Sequence, residues 1–129
     1  MIDVSCAVII EAGKVLCVQR GAGRHLAGKW EFPGGKVGIG ETPEDSAVRE
    51  VREELDLEIG VLRALMPVTH AYPDKTVRLF PFLCRITGGM LRLHEHQAYR
   101  WLAPAELPTL DWCDADGPIL EEVKKLVSQ

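Results

Sequence analysis

The sequence has no excess of positive charge. Its 15 Lys and Arg are outnumbered by 19 Asp and Glu, leaving a net charge of −4. That balance argues against a general nucleic-acid binder. It leaves a nucleotide substrate open, because a metal ion can offset phosphate charge locally. No apolar segment approaches the length that spans a bilayer, so no membrane association is expected. Asp3 and Glu11 interrupt the early apolar run, which excludes a secretory signal peptide from the reading. The four cysteines, Cys6, Cys17, Cys84 and Cys113, form no CxxC pair. Cys6 and Cys17 lie in apolar runs and read as buried thiols, a pattern that fits a reducing cytoplasm. Repeats, linkers and low-complexity tracts are absent. What remains is an ordinary globular balance, 47% apolar and 26% charged, in a length that reads as one domain over residues 1–129.

The informative stretch is a glycine-rich loop, Gly34-Gly35-Lys36-Val37-Gly38-Ile39-Gly40, running into a short helix. The helix start is readable: Thr42 can N-cap, Pro43 takes the first helical position, and Glu44 and Asp45 fill the first turn, where the helix dipole favours acids. At 100° per residue, Ala47, Val48, Val51 and Leu55 fall on one side. Glu50, Glu53 and Glu54, at i, i+3 and i+4, share an adjacent face and repel one another by roughly 0.2–0.5 kcal/mol per pair. A solvated charged face is one reading of such a cluster. Clustered carboxylates are also what a hard divalent cation takes as ligands, and the glycines let backbone approach a metal or phosphate closely.

The spacing of Gly35, Glu41, Arg49-Glu50-Val51-Arg52-Glu53-Glu54 and Leu57 resembles the signature of the Nudix hydrolases. Asp56 alone departs from it, standing where the family usually has glycine. Asp tolerates left-handed backbone better than most residues, so a small stability loss is expected there and no loss of chemistry. The resemblance covers nearly the whole chain and implies an α/β/α sandwich with a mixed central sheet.

It also implies a metal site formed by Gly34, Glu50, Glu53, Glu54 and the late loop residue Glu95. Mg²⁺ or Mn²⁺ would suit that oxygen-rich set. Zinc at His94 and His96 is disfavoured, because no third soft ligand has suitable spacing. Arg49 would orient a glutamate of the box, while Gly35 and Glu41 would support the loop. Glu50 and Glu95 are the candidate general bases. Arg20 and Lys36 would contact phosphate.

The implied reaction, in the family's MutT-like branch, is hydrolysis of a nucleoside triphosphate to monophosphate and pyrophosphate. Within that branch the chain is most similar to CTP pyrophosphohydrolase-like members, through Trp30-Glu31-Phe32-Pro33-Gly34-Gly35-Lys36, His94-Glu95-His96-Gln97 and Ala115-Asp116-Gly117-Pro118. Guanine-selective relatives carry Asn at the position of Asp116. An ionised Asp only accepts hydrogen bonds and so matches the cytosine N4 amino group. Phe32, Tyr72 and Leu79 are the expected apolar walls of the base pocket. The alternatives are an 8-oxo-dGTP-sanitising pyrophosphatase and, in another class, a Nudix-fold nucleotide-binding module without catalysis. The expected partner is a small nucleotide; oligomeric state is left open, and a monomer is compatible.

Along the chain, Val4 to Ile10 and Lys14 to Arg20 read as a hairpin turning at Ala12-Gly13. Gly21 to Lys29 reads as a loop, Trp30 to Phe32 as a short strand ended by Pro33-Gly34-Gly35, and Pro43 to Leu55 as the helix. Ile59 to Ala71 and Thr76 to Ile86 read as antiparallel strands joined at Pro73-Asp74, the second ended by Gly88-Gly89. His94 to Gln97 reads as a polar loop, Ala98 to Leu102 as a strand, and Pro104 to Leu107 as one helical turn. A last helix is expected to start at Asp114 or Asp116, with Ile119, Leu120, Val123, Leu126 and Val127 as its apolar face.

Overall fold

The computed structural model describes residues 1–127, the side chain of Val127 excepted, so that member of the expected last-helix face lies outside the described residues. Strand β1 (Ile2–Glu11) is the axis of the sheet. It pairs antiparallel with β2 (Lys14–Arg20) and with β4 (Gly34–Lys36), and parallel with β7 (Lys75–Gly89). Strand β3 (Trp30–Glu31) and β8 (His96–Leu102) both pair with β2, while β5 (Leu57–Ala64) and β6 (Val68–Tyr72) both pair with β7. The sheet is therefore mixed, with one parallel pair.

Side chains of β1 and β2 point alternately to its two faces. Cys6, Val8, Val15 and Cys17 enter one apolar cluster with Trp30, Phe32, Leu79, Ile119 and Val123. Ala7, Ile9, Leu16 and Val18 enter a second with Ala47, Val51, Leu55, Phe82 and Cys84. Helix α2 (Gly117–Val127) covers the first face and α1 (Pro43–Leu55) the second, which makes the α/β/α sandwich that the sequence implies. All four cysteines are buried and free. No helix among the described residues is long and apolar enough to cross a membrane.

Helix α1 keeps its expected limits. The Thr42 hydroxyl accepts from the Asp45 backbone N–H at 3.1 Å, and Asp56 caps the far end in left-handed conformation at φ 57°. Glycine reads misleadingly elsewhere. Gly34 and Gly35, expected to end a strand, form β4 against Ser5 and Cys6 of β1. Gly88 and Gly89, expected to terminate a strand, pair with Glu58 and Leu57 inside the long β7. In both places a neighbouring strand satisfies the glycine backbone, and that tertiary pairing overrides the local signal.

The expected run from Ile59 to Ala71 divides into β5 and β6 around Leu65-Met66-Pro67. His96 and Gln97, expected in a loop, belong to β8. The turn at Pro104 extends as a 3-10 helix to Thr109. Asp114–Asp116 form a second 3-10 turn that leads into α2 at Gly117.

Candidate active site

The glycine loop and α1 are bolted together before any ligand is considered. A Cβ on Gly34 would collide with the backbone of Ser5 and Cys6, so that position has no room for a side chain, and one on Gly35 would lie 2.5 Å from the Glu50 carboxylate and displace it. The buried hydroxyls of Ser5 and Ser46 lie 2.9 Å apart. Ser5 Oγ donates to the Gly35 carbonyl at 3.3 Å and Ser46 Oγ to the Lys36 carbonyl at 3.4 Å. The Gly34 N–H donates to Glu54 Oε1 at 3.0 Å.

Arg49 organises the outer end. Its guanidinium grips Glu41 through two bonds, from Nε at 2.7 Å and Nη2 at 2.9 Å. Nη1 reaches Glu50 at 2.8 Å and Glu53 at 3.2 Å, and Nη2 also donates to the Lys36 carbonyl at 3.2 Å. Glu41 in turn accepts from the Gly38 N–H at 2.8 Å. Arg49 and that N–H hold the Glu41 carboxyl down at about 2. Glu41 and Gly35 thus stand as parts of the loop's own framework.

The glutamates separate. Glu53 is 55% exposed and rests on Arg49. Glu50 and Glu54 line a cleft of about 410 Å³, with Glu95, Arg24 and Lys36 on the same wall system. Glu54 is 3% exposed. Burial raises its carboxyl to about 9, the charges of Glu31, Glu50 and Glu95 add to the rise, and the Gly34 N–H opposes it. A buried carboxylate facing three others lacks a positive partner. Among the described residues no three His, Cys, Asp or Glu side chains are gathered into a finished metal centre. The carboxyls in the cleft are oxygen donors, however, and such a crowded oxygen set fits a hard divalent cation.

The other end of the cleft opens into a smaller cavity of about 130 Å³ lined by Tyr72, Leu79, Cys113, Ala115 and Asp116. Phe32 is buried against Trp112, with ring centroids 4.9 Å apart, and lines the larger cleft. Leu79 lines both spaces. Tyr72 stacks edge-on against His70 at 4.5 Å, and its hydroxyl accepts from the Ala115 N–H at 3.3 Å.

Asp116 lines both spaces and accepts from the Phe32 N–H at 3.3 Å. Burial first, then the charge of Glu31, lifts its carboxyl well above the usual range, against the Phe32 N–H and Arg20. The expectation from sequence was an acceptor-only side chain. Asp116 keeps its proton where an ordinary Asp has lost it, and a protonated carboxyl both donates and accepts.

Arg20 stands at the junction of the two spaces. Nη1 donates to Glu31 at 3.0 Å and Nε to the His25 carbonyl at 2.6 Å. Lys36 stands exposed on the larger cleft. Sequence reasoning missed Glu31, Lys75 and Arg24, which line the cleft, and His96 behind Glu31. The available signal for Glu31 was an acid set between two buried aromatics immediately before the glycine loop.

This fold and this cleft define a class, an α/β/α sandwich with a carboxylate-lined cleft. The NUDIX domain family's model matches residues 1–123. The chain is 38% identical over 121 residues to the CTP pyrophosphohydrolase of Escherichia coli, covering 94% of this chain and 90% of that protein. It is 31% identical over 116 residues to the 8-oxo-dGTP diphosphatase of the same organism, covering 90% of each. The crystal structure of the MutT NUDIX hydrolase from Burkholderia pseudomallei superposes with a TM-score of 0.85 at 28% identity, over 95% of this chain and 97% of that one. The chain belongs to the Nudix family, whose members generally use a divalent metal, and it is a hydrolase.

Proposed function

We propose that the chain is a Mg²⁺- or Mn²⁺-dependent nucleoside triphosphate pyrophosphohydrolase, acting on cytosine nucleotides such as CTP, dCTP or 5-substituted dCTP. The carrying observation is Glu54, buried among Glu31, Glu50 and Glu95 and tied to the glycine loop, at the head of a cleft that ends on Asp116. Glu50, Glu54 and Glu95, with Gly34 and with Glu53 at the outer edge, would hold the metal, which when bound offsets phosphate charge and makes water more acidic.

Water attacks the β-phosphorus, the bond from that phosphorus to the α–β bridging oxygen breaks, and nucleoside monophosphate and pyrophosphate leave. The proton from water passes to a carboxylate. Glu50, with one oxygen held by Arg49, and Glu95, paired only at 3.7 Å with Arg24, are the candidate acceptors. Lys36, Arg20 and Arg24 supply positive charge along the cleft. A protonated Asp116 would present an acceptor to cytosine N4 and a donor to N3, while the ionised form would accept from N4 and repel the O4 of uracil. Phe32, Tyr72 and Leu79 wall the base.

A second reading, 8-oxo-dGTP hydrolysis, draws on the same Asp116 proton, because an acid that donates and accepts also suits the O6 and N1–H edge of a guanine. The test compares kcat/KM for CTP, dCTP, 5-methyl-dCTP, UTP and 8-oxo-dGTP with Mg²⁺, scoring pyrophosphate against phosphate. Cytosine substrates should lead. A lead of more than tenfold for 8-oxo-dGTP replaces the cytosine assignment, and absence of any turnover returns the chain to a binding module.

A further inference from the structure

Glu31 is clamped from both sides at the place where the two spaces meet. Arg20 Nη1 donates to Oε1 at 3.0 Å, and His96 Nε2 lies 2.9 Å from Oε2. A carboxylate only accepts, so Nε2 carries the hydrogen. The His96 side chain has no exposure, and its Nδ1 has no hydrogen-bond partner among the described residues. The three residues come from three strands, Arg20 from β2, Glu31 from β3 and His96 from β8. The register of β2 against β8 shifts between Gln19 and Arg20, so that Arg20 faces His96 while Gln19 faces Ala98. Such bulges re-aim side chains beside active sites. Burying an imidazole with an orphaned nitrogen to steady one carboxylate is a poor route to stability, and it makes sense as orientation.

The carboxylate it steadies lines both spaces, 18% exposed. Toward one end lie Glu50, Glu54 and Glu95; toward the other lie Tyr72, Ala115 and Asp116. In a nucleotide the sugar joins phosphate to base, so a substrate seated along the cleft sets its sugar at this junction. Each carboxylate oxygen has a second lone pair, and a sugar hydroxyl is a donor. We propose that Glu31 is the sugar-reading residue of this cleft, accepting a hydrogen bond from the 3′-hydroxyl that ribose and deoxyribose share, and that His96 is its positioning residue. The inference rests on the nucleotide reading above and deepens it.

The test uses three triphosphates of one base, the ribo, the 2′-deoxy and the 2′,3′-dideoxy forms, the base being the one turned over fastest. In the wild type, removal of the last hydroxyl should lower kcat/KM by about tenfold or more, the scale of a hydrogen bond to a charged group. That ratio should survive His96→Gln, which keeps a donor near Nε2. It should fall toward one in His96→Leu, with circular dichroism confirming the fold. A merely structural His96 would lower all three substrates alike and leave the ratio intact.

Equal kcat/KM for the deoxy and dideoxy forms in the wild type overturns the proposal without any variant. So does a His96→Leu protein that keeps the ratio but needs more Mg²⁺, which would assign Glu31 to the metal. If no triphosphate releases pyrophosphate, the nucleotide reading fails first and this inference falls with it; pyrophosphate release that ignores the hydroxyls fails this inference alone.

Discussion

The cleft holds its solvent-facing and its buried carboxylates in opposite ways. On the outer, solvent-facing side, Glu41, Glu50 and Glu53 all bond to one guanidinium, and Glu41 is held down at about 2. On the inner, buried side, Glu54 is raised to about 9 and Asp116 well above its usual range, each chiefly by burial. Glu53 and Glu54 are neighbours in sequence with the same side chain, yet one is solvated and the other is 3% exposed. A carboxyl with a cationic partner is fixed in place by it. A buried carboxyl without one is a strained group facing the cleft, and such groups mark candidate chemistry better than residue type does.

The sharpest way to break this contrast is to neutralise the two neighbours separately. Glu54→Gln should lower kcat by about 1,000-fold, or about 4 kcal/mol in barrier, with the fold intact. Glu53→Gln should lose only about tenfold, because its carboxylate is half solvated already. Steady-state pyrophosphate release at saturating Mg²⁺ measures both, and equal losses would erase the distinction between the sides.

The second test reads stability. Without a metal, burial pushes the Glu54 carboxyl up to about 9, against 4.5 for an ordinary glutamate. The unfolded chain gives up this proton first, so the stabilisation is fully present below about 4.5 and is lost as pH rises through about 9. The loss can reach about 1.4 kcal/mol per pH unit between those limits. Urea midpoints in chelator from acid to alkaline pH should decline in the wild type and decline less in Glu54→Gln. A wild-type slope that the substitution leaves unchanged would place the burial penalty elsewhere.

The smallest effect concerns the base. Burial raises Asp116, so it ionises at higher pH than an ordinary Asp, with Glu31, Arg20, Cys6 and Cys113 as the groups around it. Only the ionised form rejects uracil. The ratio of kcat/KM for CTP over UTP should therefore climb with pH by about tenfold, within the scale of a base-edge contact, and Asp116→Asn should flatten it. Metal and water ionisations act on both substrates and cancel in the ratio.

The outer side was legible because it is local. Thr42, Pro43, the carboxylate spacing of α1 and the left-handed Asp56 all declare themselves within a few residues of one another. The inner side was only half legible. Asp116 was named from its place before the last helix, but its burial, which raises its carboxyl, belongs to the whole fold and not to the residue type. Glu31 and His96 escaped because their meeting depends on the pairing of β2 with both β3 and β8, and on a bulge that no local pattern announces. The same holds for β4. Gly34 and Gly35 look like turn residues until β1 lies beside them.

The parallel pairing of β1 with β7 also sets an order of events. It joins Ile2 to Val77 and Ile9 to Cys84, contacts that must wait for most of the chain, and such distant closures come late in folding. The glycine loop is docked on β1 at Val4 to Cys6, opposite Leu79 to Pro81 on β7. A chain emerging from the ribosome thus presents Glu50, Glu53 and Glu54 well before the strand that completes the sheet, and before Glu95 or Asp116 exists to face them. Until Glu95 and Asp116 have been made, α1 carries its acids with no cleft for them to line.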